Sequence, residues 1–342
     1  MMALYLTETD VASLLDMRQA LDALEEAFSA RARGEAFNSP RRRLPVSGGT
    51  YNFMAATWPA KGVAGHKAYT GTRKGARFHV TLYDASGAGL LAVIEAGRLG
   101  QVRTGAASGV ATKFMARADA TVAAVIGSGY QAETQLEAVA AVRKLTAARV
   151  FSRTPERRNA FAGKMSERLG LTVTAAASAA DCVRGADIVV TVTNSAEPVL
   201  TGDMLGPGMH INAAGANSWL RRELDTAAVT RCGTVAVDDI EQAKIECGEL
   251  MRAAETGHFS WDRAIQLDRV VAGDLPGRRS PDEITLFESQ GIALEDIAVA
   301  ERVYRLAMQR GLGVKLPGFD PGPCAPLLKQ PGPLQVDAFR HI

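Results

Sequence analysis

Six residues, Gly127-Ser128-Gly129-Tyr130-Gln131-Ala132, carry the most specific chemistry in this sequence. They follow the apolar run Thr121 to Ile126 and open a helical pattern that continues to Leu145, so the glycines fall at a strand-to-helix junction. Gly127 permits a tight turn there, Gly129 lets backbone approach a pyrophosphate, and Ala132 stands where the third glycine of a dinucleotide fingerprint packs helix on strand. The helix start, Tyr130 and Gln131, adds N–H donors and the positive end of a dipole. Roughly 25 residues on, where an Asp or Glu commonly meets the ribose 2′-hydroxyl, the chain has Ser152-Arg153-Thr154. A cation flanked by hydroxyls suits a 2′-phosphate, so the expected cofactor is NADP, with NAD as the alternative.

A second set of candidates is cationic. Lys67 interrupts an apolar strand pattern, Arg103 lies in a helix of small residues, and Arg41-Arg42-Arg43 precedes a strand. Beside a dinucleotide, such groups clamp a substrate carboxylate and move a proton; the alternative for each is a solvated or snorkelling side chain. No metal is expected. His66, His79, His210, His258 and His341 form no i,i+4 pair, and Cys182, Cys232, Cys247 and Cys324 form no C-x-x-C. His66 beside Lys67, and His79 on its strand, are candidates for lining the site, a structural role being the alternative.

The elements that must position these groups change character along the chain. Thr7 to Arg33 reads as two short helices, and the segments between Arg41 and Val93 as mostly antiparallel strands. Glu95 to Ala116 reads as a helix whose small residues allow close packing. Beyond Ala118, apolar strands ending at Ile126, Phe151, Thr174, Thr193, Ala214 and Val237 alternate with helices, the pattern of a parallel sheet covered on both faces. One helix is expected over Glu241 to Thr256 and a last one over Leu294 to Arg310. From Val314 to Ile342 the chain holds six of its fourteen prolines and has no apolar period, which predicts an extended or disordered arm.

The 342 residues correspond to about two domains. Lys+Arg 39 against Asp+Glu 37 leaves a net +2, so the totals imply no field for nucleic acid or an anionic membrane. No apolar run reaches the roughly 18 residues of a membrane helix, and the early acidic residues of the N-terminus do not form a signal peptide. A cytoplasmic protein is expected.

The segments Val102 to Lys113, Gly127 to Ala132, His210 to Ala216 and Leu286 to Asp296 closely resemble, in order, the ornithine cyclodeaminase and mu-crystallin family. The resemblance spans about residues 5 to 312 and implies a homodimeric α/β enzyme with a Rossmann NAD(P)-binding domain at 119–291. It implies an α+β substrate-binding and dimerisation domain from 1–118 and 292–313, with the Pro-rich tail, 314–342, outside the family plan. Arg103 matches the family arginine at the substrate carboxylate, and Lys67 the active-site lysine that can move a proton at the imine nitrogen. The second carboxylate-binding arginine falls at Arg41, with Arg43 on the same strand face as the alternative. Thr193, Ala214 and Ser289 join the glycine motif and residues 152–154 as expected cofactor contacts. The cyclodeaminase aspartate that engages a distal amine is replaced by Asn217, and a neutral amide neither acts as a base nor pairs with an ammonium as a carboxylate does. The resemblance therefore implies an NAD(P)H-dependent reductase of small α-imino acids, either cyclic ketimines or imines formed from a 2-oxoacid and an amine. The alternatives are an ornithine or lysine cyclodeaminase with bound NAD, and a non-catalytic NADPH-dependent binding protein.

Overall fold

The computed structural model describes residues 3–317 apart from Lys74 and Ala88. After β1 (Leu4–Leu6), α1 (Glu8–Leu14) and α2 (Met17–Ala32) come the strands β2 (Phe37–Val46), β3 (Gly49–Trp58), β4 (Val63–Thr72), β5 (Gly75–Ala76), β6 (His79–Asp84) and β7 (Gly89–Glu95), then α3 (Gly97–Met115). The second part runs β8 (Val122–Ile126), α4 (Tyr130–Val142), β9 (Ala147–Phe151), α5 (Pro155–Leu169), β10 (Thr172–Ala175), α6 (Ala179–Val183), β11 (Ile188–Thr191) and β12 (His210–Ala213). It continues with α7 (Thr226–Arg231), β13 (Thr234–Val237), α8 (Ile240–Glu246), α9 (Gly248–Glu255), β14 (Ala264–Gln266), α10 (Leu267–Val271) and β15 (Thr285–Glu288). The long α11 (Ala293–Arg310) and β16 (Val314–Lys315) close it.

Reciprocal capping divides the first apolar stretch. Thr7 pairs with Asp10 and Asp16 with Gln19, each closing a capping box that starts a separate helix. Only the first of these helices is short; α2 runs sixteen residues. The strands form a sheet in the order β16-β1-β7-β6-β4-β3-β2, with β5 on β4. β1 pairs parallel to β7 and the remaining pairs are antiparallel. α2, α3 and α11 share a core with one face of this sheet. Its wholly buried Phe28, Leu24, Leu82, Ile94 and Leu99 each contribute about 1.5–3 kcal/mol by leaving water.

The other sheet is entirely parallel, in the order β10-β9-β8-β11-β12-β15-β13-β14. Alternate residues of its strands feed two cores: Ala124, Ile126, Val189 and Ile211 on one side, and Ala123, Val125, Val150 and Val190 on the other. This is the doubly wound α/β arrangement, and the chain reverses direction across the sheet between β8 and β11. Small residues bring α3 against α4: a Cβ at Gly105 would stand 2.4 Å from the Thr134 carbonyl oxygen. No helix among the described residues is long and apolar enough to cross a membrane.

The structure departs from the sequence reading at several elements. The helix expected over Glu241 to Thr256 is broken at Cys247, whose extended φ of −81° and ψ of 94° separates α8 from α9. Thr285 to Glu288, read only as a motif, is a strand inserted between β12 and β13. β1 had no pattern long enough to announce it. The arm expected from Val314 begins as a strand, with Val314 against Tyr5 and Lys315 against Leu4; beyond Pro317 it lies outside the described residues, as does Cys324.

Candidate active site

Two adjoining cavities meet between the sheets, sharing Tyr130, Gln131, Ala214 and Gly215. The first, about 440 Å³, lies beyond the C-terminal ends of β8, β9, β11 and β12 at the reversal point, where open α/β sheets bind ligands. Gly127, Ser128, Gly129, Ser152, Arg153, Thr154 and Thr193 line it together with the shared residues. Gly127 has φ +124°, and a Cβ there would come 2.4 Å from the Val192 carbonyl oxygen, so glycine is required on two counts. Gly129 faces open space and caps α4 without any side-chain hydrogen bond, leaving the N–H groups of Tyr130 and Gln131 available to an anion. No Asp or Glu stands among the described residues lining this cavity. Arg157 does, from the first turn of α5. The donor set fits a dinucleotide.

The second cavity, about 380 Å³, is built on three cations. Along β4 the pattern alternates, burying Val63, Gly65 and Lys67 on the core side. Lys67 thus occupies an apolar position, with Nζ 3.0 Å from Asp296 Oδ1 and 5.1 Å from the ring centre of Phe78. Burial lowers its pKa to about 8, Asp296 opposing that fall and Arg103 adding to it. Arg103 on α3 places Nε 3.0 Å from Asp296 Oδ1 and Nη1 2.8 Å from Glu295 Oε2. Burial works against its charge, but Asp296 and Glu295 outweigh burial and hold it protonated. Among the described residues Nη2 has no acceptor. Glu295, raised by burial and lowered by Arg103, titrates at about 7.

Arg41 enters through a bulge: the register between β2 and β3 slips between Ser39 and Arg42, around Pro40, and turns Arg41 inward. Its guanidinium is already engaged at Glu246 Oε2 (2.7 Å), Met54 Sδ (3.2 Å) and the carbonyls of Gln290 and Gly291 (3.1 and 2.9 Å). Arg43, two residues on, reaches the other oxygen of Glu246 and donates to the Asn217 carbonyl, and it does not line the cavity. Of the two arginines expected at the carboxylate, Arg41 lines the cavity and Arg43 does not, and both meet Glu246 in this structure; the donors left without an acceptor belong chiefly to Lys67 and Arg103.

Asn217 and Ser289 also line this cavity, with Met54, Tyr69 and Phe78 as its apolar part. No Asp or Glu lines it among the described residues. The histidines stand elsewhere. His66 faces the opposite side of β4 from Lys67, its ring between Phe53 and Tyr83 at 5.2 and 5.9 Å, and His79 is not among the lining residues. His210 is buried against Thr285 and Asn212, and burial pushes its pKa down to about 3.

The sequence of the ornithine cyclodeaminase/mu-crystallin family, taken as a family model, matches residues 1–311. The chain belongs to the ornithine cyclodeaminase/mu-crystallin family. Within that family it is 39% identical to a Delta(1)-pyrroline-2-carboxylate reductase of Bacillus cereus over 227 residues, 66% of this chain and 70% of that protein. The structure of Thermococcus litoralis Delta(1)-pyrroline-2-carboxylate reductase in complex with NADH and L-proline superposes with a TM-score of 0.88 at 32% identity, covering 92% of this chain and 100% of that one. An archaeal alanine dehydrogenase dimer with bound NAD gives 0.87 at 33%, covering 92% and 99%.

Several site residues escaped the sequence reading. Glu295 and Asp296 open α11, where an acidic pair reads as an ordinary complement to the helix dipole. Glu246 looks like the solvent face of a helix and is 1% exposed. Arg157 was missed although a local signal was there: it stands in the first turn of the helix that Pro155 opens directly after Arg153 and Thr154. Nor did spacing show that Cys247, Glu249 and Glu288 converge, their ligand-type atoms within 4.8 Å. All three are buried, which raises Cys247 and Glu288 well above their ordinary values and Glu249 to about 7.

Proposed function

We propose that this chain is an NADPH-dependent reductase of small α-imino acids, with cyclic imines such as pyrroline- or piperideine-2-carboxylate as preferred substrates. The observation that carries the reading is a cavity lined by Arg41, Lys67 and Arg103, with no carboxylate among its described lining residues, opening onto a dinucleotide-shaped crevice. Such a cavity favours an anionic ligand and, among the described lining residues, gives the distal ammonium of a diamino acid no carboxylate to pair with. With Arg41 committed to Glu246, the open donors serve one carboxylate, and Met54, Tyr69 and Phe78 accept an aliphatic remainder.

Reducing a C=N bond requires hydride at carbon and a proton at nitrogen. Reduced nicotinamide bound in the crevice supplies the hydride. Arg103 Nη2 holds the substrate carboxylate with charge-assisted hydrogen bonds. Lys67, with a pKa of about 8, carries a proton at neutral pH and can give it to the imine nitrogen and regain it. Asp296 fixes Lys67 and Arg103 relative to each other through a single oxygen.

The preference for NADPH over NADH rests on Arg153 and Arg157 and on the absence of an acid at the end of β9. A homodimer is the proposed assembly. Phe53 and Tyr83, exposed on either side of the half-buried His66 on the outer face of the first sheet, form an aromatic patch suited to a second copy, and the archaeal alanine dehydrogenase is a dimer. We also propose residues 1–118 with 292–313 as the substrate and dimer unit and 119–291 as the cofactor unit. Oxidation of NADPH and NADH against cyclic imino acids, and against 2-oxoacids with ammonia or methylamine, tests the activity. Turnover of cyclic imines with NADPH preferred is the expected result; ammonia release from ornithine without added reductant would establish a lyase instead.

A further inference from the structure

Glu223 is wholly buried at the end of the loop 216–222, and each of its polar groups has a hydrogen-bond partner around the crevice. Its Oε1 accepts from the Thr193 N–H at 2.5 Å, and its Oε2 accepts from the Gly215 N–H at 2.8 Å and the Thr191 hydroxyl at 3.0 Å. Its carbonyl accepts from the N–H groups of Val199 and Leu200, and its own N–H donates to Glu249 Oε1. One residue therefore ties the loop after β11 to the loop after β12. Thr193, Val199, Ala214 and Gly215 on those loops line the crevice, and Asn217 carries the second loop into the neighbouring cavity. The fit is tight: a Cβ at Gly215 would lie 2.4 Å from Thr193 N and 2.6 Å from Glu223 Cδ.

We propose that Glu223 is the positioning residue of the cofactor site, its carboxylate setting the spacing of the two loops between which the dinucleotide lies. It touches neither cofactor nor substrate and acts through Thr193 and Gly215. Three donors converge on two oxygens, a demand that a carboxylate meets and an amide cannot, since the NH2 of a glutamine would face a donor. The inference rests on the reading of the crevice as a dinucleotide site.

The test is Glu223→Gln, the same shape with one acceptor lost, titrated with NADPH and NADH by nicotinamide fluorescence without any imine present. The expected result is affinity about tenfold or more weaker for both dinucleotides, cofactor KM raised in step, and kcat at saturating cofactor within about threefold of wild type. A role confined to folding predicts the opposite split, a lower Tm with wild-type affinity in the folded fraction, and that result overturns the proposal. If Glu223→Gln does not fold, Thr191→Val removes one donor within the same volume; it should weaken dinucleotide binding severalfold, and unchanged affinity would again overturn the proposal. A wild-type protein that binds neither dinucleotide would instead remove the functional reading beneath it.

Discussion

Asp296→Asn isolates the proton donor. Burial lowers Lys67 to about 8, and Asp296, 3.0 Å away, keeps it from falling further. Because the protonated lysine is the acid, imine reduction should run fully below that value and decline as pH rises through it, about tenfold per unit beyond. Two unit charges at this separation attract by roughly 5 kcal/mol at an effective dielectric of about 20. Part of that is recovered by the amide dipole and water, and opposite charges at close range commonly move a pKa by about 1–3 units. Asparagine still offers Oδ1 to Lys67 and Arg103, so the geometry is kept while the charge is removed. The falling limb should therefore move from about 8 to between about 5 and 7. The assay is kcat/KM for a cyclic imino acid at saturating NADPH from about pH 5 to about pH 10. Titration of the substrate itself is common to both enzymes and cancels in the comparison. The same limb in both proteins, or a wild-type rate that climbs between pH 8 and 9, would refute the assignment of Lys67 as acid.

Other perturbations probe separate parts of the account. Arg157→Ala, removing a guanidinium from the cofactor cavity, should weaken NADPH by about tenfold or more, the cost of a charge-assisted phosphate contact; NADH affinity, read in the same titration, should hold. Asn217→Asp places a carboxylate in a cavity that has none among its described lining residues, and should raise KM for imino acids by about tenfold through repulsion of the substrate carboxylate. Equilibrium binding of ornithine to that variant should improve over wild type. Phe53→Glu puts a charge in the exposed aromatic patch and should shift the protein to monomer in light scattering with little change in Tm, a persistent dimer arguing for another interface.

The parallel sheet was legible because its strands are buried on both faces and read as unbroken apolar runs, Val122–Ile126 and Ile188–Thr191 among them. The glycine motif was legible because positive φ at Gly127 and close approach of Val192 leave one residue type that fits. Lys67 and Arg103 stood out as charges in apolar and small-residue patterns. What escaped lies in contacts between distant segments. Arg41 is quenched by Glu246, 205 residues away, and Lys67 is held by Asp296, 229 residues away; no local period encodes either. Sequence could name Arg41 and Arg43 as cations, but the bulge at Pro40 and the break in the helix at Cys247 decide that both reach Glu246. The short strands β1, β14 and β16 carry too few residues for a period and exist because neighbouring edges pair with them.

The central claim, that hydride passes from a reduced nicotinamide to the imine carbon, is tested most directly by isotope transfer. NADPH carrying deuterium on both C4 positions, incubated with a cyclic α-imino acid and the enzyme, should yield the saturated amino acid with one deuterium at the α-carbon for each cofactor oxidised. Product without deuterium, or cofactor that stays reduced while ammonia leaves a diamino acid, would contradict it.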